Sequence, residues 1–260
     1  MKKGIYTLGL AAAAAFLLTT STPAQAGGGN ESDGVTWTTL ATNFDPMIWG
    51  EQAKDPDRIM ATGPSMREIQ IQLLDGDTSV AGPSDWDRER AELFLWYRVI
   101  DQWFDTHNYM RLRYEISLGE DFDPEAVAKG TRRVFQVKAT KGSGKPIFDV
   151  VVQGGLLQIR HNETPTGGKP VILAEARVPD PRRLGWVPIE VEAKFTETAD
   201  GYFKMRIGNL YAEFHGATQH DARRNNIKIG EYRNQEYSSG TQPHRLRNPV
   251  LQVGQKTTGS

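Results

Sequence analysis

The sequence predicts an all-β fold, a β-jelly-roll sandwich of two antiparallel sheets. About ten short segments alternate apolar and polar residues with a period of two, as half-buried strands do. Turn-forming residues separate these segments, and helical periodicity is almost absent. About two hundred residues with this pattern suit one large two-sheet jelly roll better than several small domains.

Ten strands follow from the alternation, and two of their connections carry hairpin signals. Gly154-Gly155 and Asp200-Gly201 each separate two alternating segments, which is typical of a tight β-turn. The predicted strands, in chain order, are Arg67–Leu73, Arg88–Trp96, Arg111–Leu118, Val134–Ala139, Ile147–Val152, Leu156–Arg160, Ile189–Phe195, Tyr202–Ile207, Leu210–Phe214 and Asn226–Asn234.

The N-terminal segment has the three parts of a secretory signal peptide. Met1–Lys3 is basic, Leu8–Leu18 is apolar, and Pro23–Ala26 has the small residues of a cleavage site. The apolar run is too short to span a membrane. We therefore expect residues 1–26 to be removed, the mature protein to be secreted or periplasmic, and no membrane association to remain after removal.

The remaining chain divides into three predicted parts. Residues 27–64 form a leader and a first strand region, in which Phe44–Asp57 is expected to be a loop with a short helix. Residues 65–237 form the jelly-roll domain. Residues 238–260 are rich in Ser, Gly, Pro, Gln and Thr, and we expect them to form a flexible tail.

Composition excludes several functions. The chain has no cysteine, which excludes disulfides, thiolate metal sites and lipid anchoring at the cleavage site. Its formal net charge of −1 gives no broad attraction to nucleic acid. An anionic partner must therefore be bound by a local cluster of basic residues.

One strand near the C-terminus places unusual residues on one face. In Asn226–Asn234, Ile227 and Ile229 point one way, while Lys228, Gly230 and Tyr232 point the other. The glycine leaves room for something to lie close to the backbone. Taken alone, this pattern is more typical of a solvated surface strand than of a site.

Two further strands also place polar side chains at alternating positions. Arg90 with Glu92 and Gln136 with Lys138 occupy positions where apolar residues would be expected in a buried face. Arginine and lysine oppose a negative charge, a glutamine amide donates hydrogen bonds, and tyrosine offers a ring and a hydroxyl. Together these groups suit an anionic ligand rich in hydroxyl groups.

These residues resemble motifs of the jelly-roll polysaccharide lyases. Arg90–Leu93 resembles their R-x-E-L motif, Gln136–Ala139 their Q-I-H-A strand, and Lys228–Tyr232 their K-x-G-x-Y strand. The three motifs follow in the same order as in that family. The resemblance spans Ser65–Asn234 and is to the heparin lyase I and glucuronan lyase group, with alginate lyases as more distant relatives.

The resemblance implies a carbon–oxygen lyase that cleaves a uronic-acid-containing polysaccharide by β-elimination. It implies a concanavalin-like jelly roll in which Gln136 and Arg90 bind or neutralise the uronate carboxylate and Tyr232 is the acid. It also implies that Lys228 contacts substrate or favours ionisation of Tyr232. Glu92, beside Arg90, belongs to the implied substrate-binding set. The implied partner is an acidic polysaccharide such as glucuronan, alginate or a glycosaminoglycan. No cofactor is implied, and a monomer is expected.

Lys138 departs from the family pattern, which carries histidine at that position. A lysine can act as a base only if burial or neighbouring cations lower its pKa. Alternatively Lys138 neutralises the carboxylate, and Tyr232 serves as both acid and base. Another histidine could also stand in, with His215 and His161 the leading candidates, although a structural or solvated role is more typical of each. The histidines are His107, His161, His215, His220 and His244.

Other functions remain open at this point. A hydrolase needs two carboxylates close together, and Glu190 and Glu192 lie on one strand face beside Lys194, which is typical of a solvated face. Calcium is not required, and a calcium loop is possible around Asp75-Gly76-Asp77, although this segment lacks the spaced carboxylates of a dedicated site; Asp85-Trp86-Asp87 is ambiguous. The main alternative is a non-catalytic carbohydrate-binding sandwich whose groove holds the same acidic glycan.

Overall fold

The computed structural model confirms the two-sheet, antiparallel all-β fold. It describes residues 34–74, 76–78, 88–103, 108–122, 131–139, 145–162, 169–219, 225–234 and 243–256. The strands are β1 (Val35–Ala41), β2 (Trp49–Ala53), β3 (Ile59–Ala61), β4 (Glu68–Ile71), β5 (Arg88–Leu95), β6 (Tyr109–Ser117), β7 (Arg132–Ala139), β8 (Phe148–Gln153), β9 (Leu156–His161), β10 (Val171–Arg177), β11 (Val187–Lys194), β12 (Tyr202–Ile207), β13 (Leu210–His215), β14 (Asn225–Asn234) and β15 (His244–Lys256).

Within these residues the strands form two sheets. Sheet A has the order β13-β12-β11-β6-β15-β4-β3, with β1 also paired to β15, and sheet B has the order β10-β9-β8-β7-β14-β5-β2. The described helical segments are short: a 3-10 turn at Pro56–Arg58, helix α1 at Tyr97–Trp103 and helix α2 at Pro181–Leu184. None of them is long and apolar enough to cross a membrane.

The core lies between the two sheets and is built from the inward side of each alternation. Ile227 and Ile229 of β14 are fully buried, as their position on the apolar face predicts. Phe148 of β8 stacks on Phe203 of β12 with a centroid distance of 4.1 Å and an interplanar angle of 6°. Because these rings come from different sheets, their contact joins sheet B to sheet A across the core.

The predicted flexible tail is wrong for residues 244–256. His244–Lys256 forms β15, which pairs with β1, β4 and β6 inside sheet A. Its register shifts between Arg247 and Val250, and Asn248 has φ +53°. Because of this irregularity, buried Leu246 does not fit the same period-two alternation as buried Leu251 and Val253. The apolar pattern of the strand is therefore hard to recognise in a segment rich in polar residues.

The predicted loop at Phe44–Asp57 is also wrong over its central residues. Trp49–Ala53 forms β2, the edge strand of sheet B beside β5. Trp49 is 1% exposed and lies in the core. The strands β1 and β3 precede Ser65 as well, so both sheets draw residues from the part of the chain predicted to be a leader and first strand region.

Candidate functional site

The face of sheet B that points away from the core, called here the polar face, collects all three motifs. Its register places Gln136 of β7 opposite Lys228 of β14, and Lys228 opposite Phe94 of β5. A second row places Tyr232 between Arg133 of β7 and Arg90 of β5. Strand pairing therefore brings side chains that are far apart in sequence into neighbouring positions.

Glu92 lies at the centre of this face and is 2% exposed. Its Oε1 accepts a hydrogen bond of 2.5 Å from Nε2 of Gln136. Its Oε2 lies 3.7 Å from Nζ of Lys228 and 3.9 Å from Nε of Arg90. A buried carboxylate that contacts three candidate site residues holds them in place, and substrate contact by Glu92 itself stays a prediction.

Tyr232 is held between two arginines. The guanidinium carbon of Arg90 lies 4.7 Å from the centroid of its ring, and that of Arg133 lies 5.3 Å from it. Both distances are within the range of cation–π attraction. The arrangement fixes the phenol on the polar face, and an oxyanion formed there would lie beside two positive charges.

Gly230 produces the local shape that places Tyr232 in this row. It has φ +140°, and a Cβ there would lie 2.5 Å from the carbonyl oxygen of Ala91. The register between β14 and β7 shifts between Ile229 and Tyr232. The close approach predicted at this glycine is therefore made by the backbone of β5, and the irregularity sets Tyr232 opposite Arg133.

Lys138 is half-buried on β7, where it pairs with Asn226. Burial lowers its pKa, the neighbouring Lys228, Arg90 and Arg133 lower it further, and Glu92 opposes them. These neighbours belong to the polar face, so Lys138 shares one electrostatic environment with the other site residues. The condition that would allow a lysine base is present.

The structure adds three site residues that the sequence did not reveal: Arg133, Asp149 and Arg160. Asp149 is 1% exposed, and its Oδ2 lies 2.9 Å from Nε of Arg133 and 2.8 Å from Nη2 of Arg160. It therefore ties Arg133 to β8 and β9. The sequence contains one signal for this group, because Asp149 is a charged residue inside an otherwise apolar run. Arg133 could not be assigned to a face from sequence, because the register of β7 with β8 shifts between Arg133 and Phe135.

The histidines that the structure describes do not lie on the polar face. His161 packs in the core, with ring centroids 4.1 Å from Phe214 and 5.0 Å from Phe148. His215 is on β13 of sheet A, exposed, with its Nε2 2.8 Å from Glu213. His161 and His215 therefore have the structural or solvated roles that the sequence favoured, and neither lies where it could stand in at the polar face. His107 and His220 lie outside the described residues.

The alternative carboxylate sites are accounted for by ion pairs. Oε2 of Glu192 lies 2.6 Å from Nε of Arg111, and Glu190 faces Arg113 at 3.9 Å on the outside of sheet A. Asp77 accepts hydrogen bonds from Nε of Arg58 and from the backbone of Leu74. The described residues contain no cluster of three or more metal-ligating side chains. Asp75 and Asp85-Trp86-Asp87 lie outside them.

Beneath the polar face, the same strands carry a layer of buried charges on their core side. Arg233 donates from Nε to Oε2 of Glu89 at 2.7 Å, and Arg132 pairs with Glu231. His244 of β15 joins them, with its Nε2 3.3 Å from Nη2 of Arg132. All five side chains are at most 2% exposed. The four of these residues that belong to β5, β7 and β14 alternate along those strands with the residues of the polar face.

His244 is neutral in this layer at ordinary pH. Burial lowers its pKa to about 4, assisted by Arg132 and Arg233 and opposed by Glu231. An arginine can only donate, so Nε2 of His244 accepts from Arg132 and the ring proton resides on Nδ1, which faces Glu231 at 3.8 Å. The imidazole therefore links the two sheets as a hydrogen-bonding group without adding a third positive charge.

Solved structures share this architecture over most of the chain. No family model and no curated protein matches the sequence. The fold is that of alginate lyases: A1-II′, a member of polysaccharide lyase family 7, is 12% identical with a TM-score of 0.58, and the match covers 84% of this chain and 100% of that one.

Two further structures agree with that fold. An alginate lyase from Pseudomonas aeruginosa is 11% identical with a TM-score of 0.52, covering 79% of this chain and 98% of that one. Alginate lyase Aly36B is 12% identical with a TM-score of 0.53, covering 83% and 96%. At these identities, the feature that the chains share is the jelly-roll fold.

Proposed function

We propose that this protein is a polysaccharide lyase that cleaves a uronic-acid-containing chain by β-elimination and releases unsaturated oligosaccharides. The observation that carries the proposal is the placement of Tyr232 between Arg90 and Arg133, on the face that also holds Gln136 and Lys138. The similar alginate lyase A1-II′ has been solved with substrate (GGMG) and with product (GGG).

The first task in this chemistry is to neutralise the uronate carboxylate, which makes the proton on C5 acidic. Arg90 supplies a positive charge, and Gln136 has a second amide hydrogen left after its bond to Glu92. Both groups stabilise the enolate that develops as the proton leaves, which is the largest expected contribution to catalysis. Lys228, held by Gln52 at 2.5 Å and near Glu92, adds positive charge in the same row.

The second task is proton transfer. Lys138, in its neutral amine form, takes the C5 proton, and Tyr232 donates its phenolic proton to O4 of the leaving sugar. The C4–O4 bond breaks as the C4=C5 double bond forms, so the electron pair from the C5–H bond becomes the new π bond. The phenolate left on Tyr232 lies beside Arg90 and Arg133 until it regains a proton.

The base role of Lys138 leads to a prediction about pH. Because burial and nearby cations disfavour the ammonium, the amine appears at lower pH than in a free lysine, and turnover should rise with pH as Lys138 loses its proton. Lys138→Arg keeps the charge but cannot lose a proton, so kcat should fall roughly 10²- to 10⁴-fold. Lys138→His should remain active, with the rising limb of its pH–rate profile moved to lower pH.

The same pair of variants separates the two roles considered for Lys138. If it only neutralises the carboxylate, Lys138→Arg will retain turnover, and the pH limb will not follow the residue at this position. In that case Tyr232 serves as both acid and base.

The proposed activity is tested by incubating the mature protein with glucuronan, alginate, heparin and hyaluronan. A new C4=C5 double bond conjugated to the carboxylate absorbs in the ultraviolet, so elimination is followed directly. Binding to one of these glycans with no absorbance on any of them would instead identify a non-catalytic carbohydrate-binding sandwich. We also infer export to the periplasm or medium, supported by the signal-peptide pattern of residues 1–26.

A further inference from the structure

We propose that Phe94, Trp96 and Tyr97, called here the aromatic platform, form a stacking site for the apolar face of a sugar ring in the polysaccharide. The platform lies beside Lys228, at the β2 side of the polar face. This proposal rests on the proposed function, because it assigns the same acidic polysaccharide a second point of contact.

The three rings form one contiguous surface. The centroid of Phe94 lies 5.1 Å from that of Trp96 and 6.4 Å from that of Tyr97. The indole nitrogen of Trp96 donates to the carbonyl oxygen of Pro46 at 2.7 Å, which fixes the ring orientation. The edge-to-face packing of Phe94 on Trp96 and the tilted contact of Phe94 with Tyr97 hold the rings in a defined arrangement before a ligand arrives.

Gly50 makes space for two of the rings. A Cβ at Gly50 would lie 2.6 Å from an atom of the Phe94 ring and 2.9 Å from an atom of the Trp96 ring. The rings therefore lie directly over the backbone of β2. Any larger residue there would push them away from the sheet, so the absence of a side chain at Gly50 allows the platform to form.

The platform continues the polar face without a break. Gln136, Lys228, Phe94 and Gly50 pair in one row across β7, β14, β5 and β2. Neighbouring strands are about 4.8 Å apart, so Phe94 lies roughly 10 Å from Gln136 along this row. A polysaccharide that crosses the strands, with one carboxylate at Gln136 and Arg90, would place on the rings a sugar that lies beyond the adjacent one, so a disaccharide would not reach them.

Exposure and charge favour a sugar as the occupant. Trp96 is 37% exposed and Tyr97 is 53% exposed, so part of each ring is open to a ligand, with the guanidinium carbon of Arg98 5.9 Å from the Trp96 ring centroid. Three side chains are far fewer than the roughly 20–30 residues that each partner contributes to a stable protein interface. The rings adjoin Lys228, whose charge complements a uronate, whereas an apolar protein surface would be poorly matched to that cation.

The test uses a ladder of alginate, glucuronan and glycosaminoglycan oligosaccharides, with affinity measured by titration calorimetry in the Tyr232→Phe protein to prevent cleavage. Adding Trp96→Ala or Tyr97→Ala should weaken binding of oligomers long enough to reach the platform by roughly tenfold. Disaccharides should bind equally to all variants. Tyr211→Ala is the matched control, because Tyr211 is 43% exposed on β13 of the other sheet.

Distinct results overturn the two proposals. Unchanged affinity for long oligomers in both platform variants overturns the platform, and the proposed function survives if the wild type still forms the unsaturated product. A change in sedimentation of these variants without a change in affinity also overturns it, because the rings would then serve self-association. Failure of the wild type to bind or cleave any acidic glycan overturns both proposals.

Discussion

Replacing Tyr232 with phenylalanine is expected to lower kcat by roughly 10²- to 10⁴-fold and to leave substrate affinity nearly unchanged. Loss of a general acid removes a transition-state interaction of about that size. The ring itself remains, so its contacts with Arg90 and Arg133 persist and the strand keeps its shape. Single-turnover absorbance measurements and calorimetric titration separate the two quantities.

Tyr202→Phe is the matched control for Tyr232→Phe. Tyr202 is half-buried on β12 of sheet A, and its hydroxyl donates to Oε1 of Glu192 at 2.8 Å. This substitution also removes the hydroxyl of a half-buried tyrosine, but on the other sheet and not on the polar face, so turnover should be close to that of the wild type. If Tyr232→Phe retained turnover, another group would have to protonate the leaving oxygen.

The side-chain period of a β-strand is what made the polar face predictable from sequence. Period-two alternation assigned Lys228 and Tyr232 to one face of a strand, and the same argument assigned Gln136 and Arg90 to faces of theirs. The pairing register then aligned these faces in one sheet. Residue alternation is a local property, and it is retained wherever the strand is regular.

Irregular strand pairing and contacts between strands could not be predicted from residue alternation. A register shift moves Arg133 next to Tyr232, and another interrupts the apolar period of β15, where composition suggested a tail. The role of Glu92 depends on which side chains surround it, which alternation cannot show. His161, by contrast, shares the face of buried Ile159 on β9, so alternation alone places it in the core, where it contacts Phe148 and Phe214.

The alternation that gives this protein a polar face also gives it a charged layer within the core. Glu89 precedes Arg90, and Glu231 precedes Tyr232, so each pair of neighbours divides between the two sides of sheet B. Charges buried this deeply stabilise a fold only while each has its partner. The stability of the sandwich near the polar face therefore depends on ion pairs that are buried in the core, away from any bound substrate.

Removing the charge of Glu89 is therefore expected to destabilise the protein strongly. Glu89 is fully buried, and its Oε2 lies 2.7 Å from Nε of Arg233, which is 1% exposed. Glu89→Gln leaves that guanidinium beside a neutral group in the core, at an expected cost of about 3–5 kcal/mol in the free energy of unfolding. The midpoint and slope of urea unfolding measure this change.

Glu190→Gln provides the same substitution in an exposed pair. Oε1 of Glu190 lies 3.9 Å from Nε of Arg113, and about half of each side chain is exposed, so solvent screens the interaction and the expected loss is about 0–1 kcal/mol. If Glu89→Gln and Glu190→Gln lowered the free energy of unfolding equally, the buried layer would add no more stability than a surface ion pair. A much larger loss in Glu89→Gln would show that the sandwich depends on charges hidden beneath its candidate active site.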